Sequence, residues 1–180
     1  RLSRIPLTRT RMIRPILRHG ADVLPLPAEP VAQFNQSLGD LIDDMIQTMY
    51  AASGIGLAAP QVGVGLRVFV ADPSGGRSLD DLVAVVNPNI VSAEGTQREE
   101  EGCLSLPGFT DRVARPANLV VSGFDRLGTE IKVEGEDLLA RVLQHELDHL
   151  DGSLFVDRLQ GLRRDRIVRR VRKLQRAGRW

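Results

Sequence analysis

The chain has 180 residues, 42% of them hydrophobic, which is enough for one domain with a real core. No apolar run nears the ~18 residues of a membrane span, and a single cysteine excludes an intrachain disulfide. The net charge of +1 hides an asymmetry: residues 161–180 carry +8, residues 1–21 carry +6, and residues 22–160 carry −13. Basic ends on an acidic body suggest contact with a polyanion.

Residues 1–12 read as a flexible arm. Their Arg-rich, acid-free start fits the end of an organelle transit peptide but lacks its amphipathic pattern, and there is no apolar secretory core. His19, next to this arm, reads as a surface residue. Val31, Phe34, Leu38, Leu41, Ile42, Met45 and Met49 recur at helical spacing. They predict a first helix entered through Pro30 and stopped at Ser53-Gly54. The stretch Gly54-Ile55-Gly56-Leu57-Ala58-Ala59-Pro60-Gln61-Val62-Gly63 is a Gly-rich turn, and no G-K-[ST] follows to make it a phosphate loop. Small residues around one amide suggest backbone in close approach to a ligand.

Leu66–Val70 alternates like a strand, and Leu82–Val86 predicts another, ended by Asn87-Pro88. The lone cysteine, Cys103, stands in Glu100-Glu101-Gly102-Cys103-Leu104-Ser105-Leu106-Pro107, a turn-bounded extended segment. A lone cysteine is usually a small buried hydrophobe. Asn118–Phe124 and Thr129–Val133 flank Asp125-Arg126-Leu127-Gly128 as a hairpin. The order of helix, strands, helix and helix is an α+β layout in one domain, 1–180.

The next helix contains Gln144-His145-Glu146-Leu147-Asp148-His149. Four residues separate the histidines, so both rings leave one helix face and can chelate one divalent ion, with Glu146 beside them as a general base. A helix with two solvated or core histidines would carry the same five residues. Cys103 raises the odds of a metal: with His145 and His149 it makes three protein ligands. A closed structural zinc site needs four, so three leave an open position for water and point to hydrolysis of a carbonyl compound. Asp148 is equally well read as a partner of a ligand histidine or as an exposed helix charge. Ser105 is a turn or strand residue, since no histidine remains to activate it as a nucleophile.

Taken together, the three segments resemble the signature motifs G-x-G-x-A-A-x-Q, E-G-C-L-S and Q-H-E-x-D-H of the peptide deformylases, complete and in order, within a similarity that runs from about Ile13 into the last helix. The family removes the formyl group of N-terminal formyl-methionine from nascent chains and releases formate. The resemblance implies antiparallel sheets surrounding a central H-E-x-x-H helix, with an N-terminal helix and a basic C-terminal helix. It implies Cys103, His145 and His149 as ligands of iron(II), although zinc, nickel or cobalt suits the same donors. It makes Glu146 the base, and Gln61 with the Leu104 N–H the oxyanion donors. Ile55, Gly56, Leu138 and Val142 become candidates for the methionine pocket, with Glu101 and Gly102 shaping it and the peptide-binding backbone. Glu99 and Arg141 stand where apolar residues occur in one common bacterial pattern, and the two can pair at the pocket rim.

The last stretch, 161–180, combines an apolar stripe of Ile167, Val168, Val171 and Leu174 with Arg and Lys elsewhere. A solvated amphipathic helix, a helix on an anionic membrane and an rRNA-binding helix all fit. The resemblance favours docking at the ribosome near the nascent-chain exit, in the cytoplasm. Two other functions compete. An H-E-x-x-H zinc endopeptidase usually takes its third ligand downstream of the motif, where this chain has no His or Cys. A silent ribosome-associated module with a structural metal would need neither Gln61 nor Glu146.

Overall fold

The computed structural model describes residues 11–180. The expected flexible arm and any transit-peptide remnant lie for the most part outside these residues. At the arm's expected end, the Met12 N–H donates to Asp44 Oδ1 at 2.8 Å and Arg14 forms an ion pair with Asp44. Among the described residues, no helix is long and apolar enough to cross a membrane.

The first helix, α1, spans Gln36–Ala51. It starts later than the apolar spacing predicts because Asn35 caps it, accepting from the Leu38 N–H at 3.1 Å. Val31 is outside the helix, with its N–H and C=O both taken by the side chain of Asn87. Seven strands follow: β1 Gly56–Ala58, β2 Val68–Ala71, β3 Val83–Glu94, β4 Gln97–Gly102, β5 Thr110–Arg115, β6 Asn118–Phe124 and β7 Glu130–Glu136. The motif helix, α2, spans Asp137–Leu150, and α3 spans Leu162–Arg176. β3 runs straight through the expected stop at Asn87-Pro88. A register shift after Val86 accommodates it, with Asn87 at φ +50 and Pro88, which has no N–H to offer, at the irregularity.

All strand pairings are antiparallel, in a five-stranded sheet of order β1-β2-β3-β6-β7 and a separate β4-β5 ribbon. Both faces of the large sheet are covered, and β2 shows how. Val68 and Val70 pack with Leu41, Met45 and Met49 of α1, while Phe69 and Ala71 pack with Leu143, Leu147 and Leu150 of α2. The ribbon closes over α2 from another side through β5. Beneath it, Ile167 and Val171 of α3 join Leu106, Val113 and Phe155 in a third apolar cluster. The motif helix is therefore enclosed by sheet and ribbon, as the resemblance implies.

His19 departs from its surface reading. It is half-buried, its N–H donates to Ser105 O at 2.8 Å, and its C=O accepts from Trp180 Nε1 at 2.8 Å. Two residues earlier, the Leu17 N–H donates to Gln61 O at 2.8 Å. This N-terminal segment thus ties the Gln61 turn to the Cys103 turn.

Candidate active site

Three elements meet at one end of a cleft of about 510 Å³. α2 supplies His145, Glu146 and His149, the residue after β4 supplies Cys103, and the turn after β1 supplies Gln61. One helical turn brings His145 Nε2 and His149 Nε2 to 3.2 Å, and Cys103 Sγ is 3.3 Å from His149 Nε2. All three donor atoms lie within 4.8 Å of one another.

These spacings fit a metal ion. Bonds of ~2.0–2.1 Å to nitrogen and ~2.3 Å to sulfur, arranged tetrahedrally, place donors ~3.3–3.6 Å apart. The chemistry of the donors points the same way. His145 Nδ1 contacts Glu101 Oε1 at 2.6 Å, which puts the proton of the neutral ring on Nδ1 and leaves the Nε2 lone pair facing His149 and Cys103. Burial and Cys103 and Glu101 pull His145 in opposite directions, and these two partners win, raising its pKa well above normal. Burial and the neighbouring His145 push His149 well below normal.

Glu146 is 2% exposed, and its Oε2 has no hydrogen-bond partner. Burial pushes its carboxyl up to about 7, against the pull of His145. A carboxyl of that pKa is poised to exchange protons near neutrality. Its room comes from Gly56: a Cβ there would lie 2.1 Å from Glu146 Oε1 and 3.0 Å from Val142 Cγ1. The close approach inferred for this Gly-rich segment is therefore, at Gly56, an approach to the Glu146 carboxylate. Gln61 is fully buried. Its Oε1 accepts from the Ala58 N–H at 2.9 Å, which fixes the amide with Nε2 toward Ser105 Oγ at 3.1 Å and, weakly, Cys103 Sγ at 3.7 Å. Ser105 is buried as an acceptor for Gln61, and its N–H donates to Cys103 Sγ at 3.4 Å.

Ile55, Gly56, Gly102, Leu104, Leu138, Arg141 and Val142 all line the cleft, as does Glu101. Leu138 is nearly half exposed where it borders the cleft. Arg141 does not pair with Glu99. Its guanidinium is turned inward to Glu101 Oε2 at 2.7 Å, Gln97 Oε1 at 3.2 Å and Val113 O at 2.9 Å. Glu101 likewise does more than shape the wall: its carboxylate is engaged by His145, Arg115 and Arg141. Burial opposes its charge, but the bonds from His145 and Arg115 hold its pKa well below the carboxylate range.

Arg115, 2% exposed, is one of the residues to which no motif in the sequence points. It spans Glu101 and Asp148, with Nη1 2.6 Å from Asp148 Oδ2. Arg158 closes the far side of Asp148 with two bonds of 2.6 Å. Asp148 is thus not exposed, and its side chain bonds Arg115 and Arg158 rather than a histidine; Arg115 in turn bonds Glu101, which contacts His145. The buried carboxylates of Glu101 and Asp148 require cations, but their burial is set by the fold, so the sequence carried no local signal for Arg115.

Comparison with known proteins agrees with this geometry. The sequence profile of the family described as polypeptide deformylase matches residues 13–165. The peptide deformylase of Acidobacterium capsulatum is 49% identical over 169 residues, covering 94% of this chain and 99% of the relative. That of Thermodesulfovibrio yellowstonii is 50% identical over 150 residues, covering 83% and 91%. The crystal structure of a peptide deformylase from Legionella pneumophila superposes with a TM-score of 0.85 at 46% identity, covering 92% of this chain and 97% of that one. The chain belongs to the peptide deformylase family, the metal-dependent hydrolases that remove the formyl group from the N-terminal methionine of nascent polypeptides.

Proposed function

We propose that Cys103, His145 and His149 hold one divalent ion, that Glu146 is the general base and acid of deformylation, and that Gln61 and the Leu104 N–H stabilise the oxyanion. The observation that carries this reading is the convergence of three metal donors, an unpartnered carboxylate and an anchored amide at one end of a single cleft. When bound, the ion supplies a Lewis acid that polarises a carbonyl and acidifies water. Glu146, held against Gly56 with its carboxyl pushed up to about 7 by burial, takes a proton from the attacking water in its ionised form and, once protonated, returns that proton to the departing amine. Gln61 Nε2 has one N–H on Ser105 and only a weak sulfur contact for the other, which leaves a donor for developing negative charge.

The methionine side chain occupies the wall made by Ile55, Gly56, Leu138, Val142 and the stem of Arg141, and the peptide backbone runs along Gly102. Iron(II) is the working metal by resemblance to the family, and zinc, nickel or cobalt suits the same donor set. Residues 1–180 act as one domain in the cytoplasm, and the basic helix within 161–180 docks at the ribosome, its exposed Arg172 and Arg176 contacting rRNA. Anaerobically prepared protein incubated with a formyl-Met peptide should release equal amounts of formate and free amine. Cleavage of an internal peptide bond without formate would contradict the assignment.

A further inference from the structure

A groove of about 790 Å³ lies along one flank of α3, and Gly108, Phe109 and Thr110 form both its inner wall and the outer wall of the active-site cleft. The two cavities are neighbours across three residues. The opposite wall carries Arg166, Arg169, Arg170 and Lys173. All four are exposed, and none forms an ion pair among the described residues. The nearest acids do not neutralise them. Asp111 is held by Arg163, with Arg166 a weaker influence, and Asp165 is the one acid lining the groove. Ile167 and Phe109 give the groove an apolar element, and Phe109 is fixed from behind by the ring of Trp180 at 6.1 Å.

We infer that this groove is an extension of the substrate site that binds acidic side chains of the nascent polypeptide downstream of its formylated end. The inference rests on the reading that the cleft beside Cys103, His145 and His149 receives that end. A polypeptide held there by its first residues must leave the cleft, and the wall at Gly108–Thr110 leads it between an apolar element and four unpaired cations. Carboxylates that follow the first residues find complementary charge there. A peptide suits the groove better than nucleic acid, because the cations face the substrate cleft across an apolar element. Arg164, Arg172 and Arg176 occupy α3 outside the groove and remain exposed to solvent.

The test compares formyl-Met peptides of about ten residues, long enough to reach ~33–36 Å when extended. They share their first residues and end in Asp/Glu, Asn/Gln or Lys tails. The acidic tail should lower KM by about three- to tenfold against the amide tail at unchanged kcat, and the gap should close with added salt. Arg166→Glu/Arg170→Glu/Lys173→Glu should abolish or invert that gap. Arg172→Glu/Arg176→Glu, with charge reversed elsewhere on the helix, should keep it. Equal KM values for acidic and amide tails would overturn the inference. So would an equal loss of the gap in both variants, which would mark a general field rather than a site. If RNA oligonucleotide binding fell in the triple variant while tail discrimination stayed the same, the groove would belong to nucleic acid and the inference would be overturned. A formyl-Met tripeptide without a tail reports the deformylase reading separately. If it gave no formate, fluorescence anisotropy of dye-labelled tailed peptides would still decide between preference and indifference in the groove.

Discussion

Arg115 and Arg170 put the same side chain to opposite uses. Arg115 is sealed between Glu101 and Asp148 behind the cluster of Cys103, His145 and His149, whereas Arg170 stands in solvent on α3 with no ion-pair partner among the described residues. Around α2, five charges lock one another: Glu101, Arg115, Arg141, Asp148 and Arg158. In that low-dielectric setting, removing one partner strands the others, so the network specifies geometry whether or not it adds net stability. On α3, apart from Arg163 and Arg164, which pair with Asp111 and Asp157, the charges are screened and individually nearly neutral for folding. They are free to meet an external anion. Fixed charge positions the chemistry, and free charge is available for binding.

The largest effects should come from the donors the network positions. His145→Ala, His149→Ala and Cys103→Ser each remove one of three donors, and each should lose bound metal by elemental analysis and turnover with it. Full metal content in the Cys103 variant would break the ligand assignment. Next comes the network itself. Arg115→Met removes the buried cation that Glu101 and Asp148 share, leaving Glu101 to Arg141 and His145 and Asp148 to Arg158, and should cost ~3 kcal/mol in chemical denaturation. Arg170→Met should stay within ~0.5 kcal/mol of the unmodified protein. Similar losses from both would erase the distinction between the two regions.

Acid sharpens the comparison further. The Glu101 carboxyl is depressed below its ordinary 4.5 in the folded protein. Its contribution is therefore fully present above that value and is lost as pH falls through the lower folded pKa. Metal-free protein should lose stability in that acid range, and Glu101→Gln should flatten the loss. An unchanged acid profile would mean that Glu101 carries no linked proton.

The smallest folding effect belongs to the surface of α3. Arg172→Glu/Arg176→Glu should leave the melting temperature almost unmoved while reducing salt-sensitive co-sedimentation with ribosomes. Deleting 161–180 is a poorer experiment. Ile167 and Val171 are buried against Leu106, Val113 and Phe155, and each such side chain contributes ~1.5–3 kcal/mol. Ribosome co-sedimentation equal to that of the unmodified protein would leave α3 as a solvated helix.

What the sequence disclosed depended on range. His145, Glu146 and His149 lie within five residues of one helix, so their common face follows from helical geometry. The hairpin of β6 and β7 is equally local and appears where alternation places it. The start of α1 was misplaced because apolar spacing continues through Val31 and Phe34, while the cap at Asn35 and the grip of Asn87 on Val31 set the boundary. β3 passes Pro88 because a bulge, invisible in composition, absorbs it. Arg115, Arg158 and the Leu17–His19 tie were illegible for one reason. Each acts on a residue distant in sequence or through a second side chain, as Leu17 does on Gln61, and no local pattern records such contacts.

The most direct test of the account is Glu146→Gln, measured for metal content and for formate release from a formyl-Met peptide on the same sample. The amide keeps the size of the side chain beside Gly56 and removes its basicity. The account predicts full metal occupancy with kcat reduced ~10²–10⁴-fold. Full occupancy with near-normal formate release would contradict it and remove Glu146 from the chemistry.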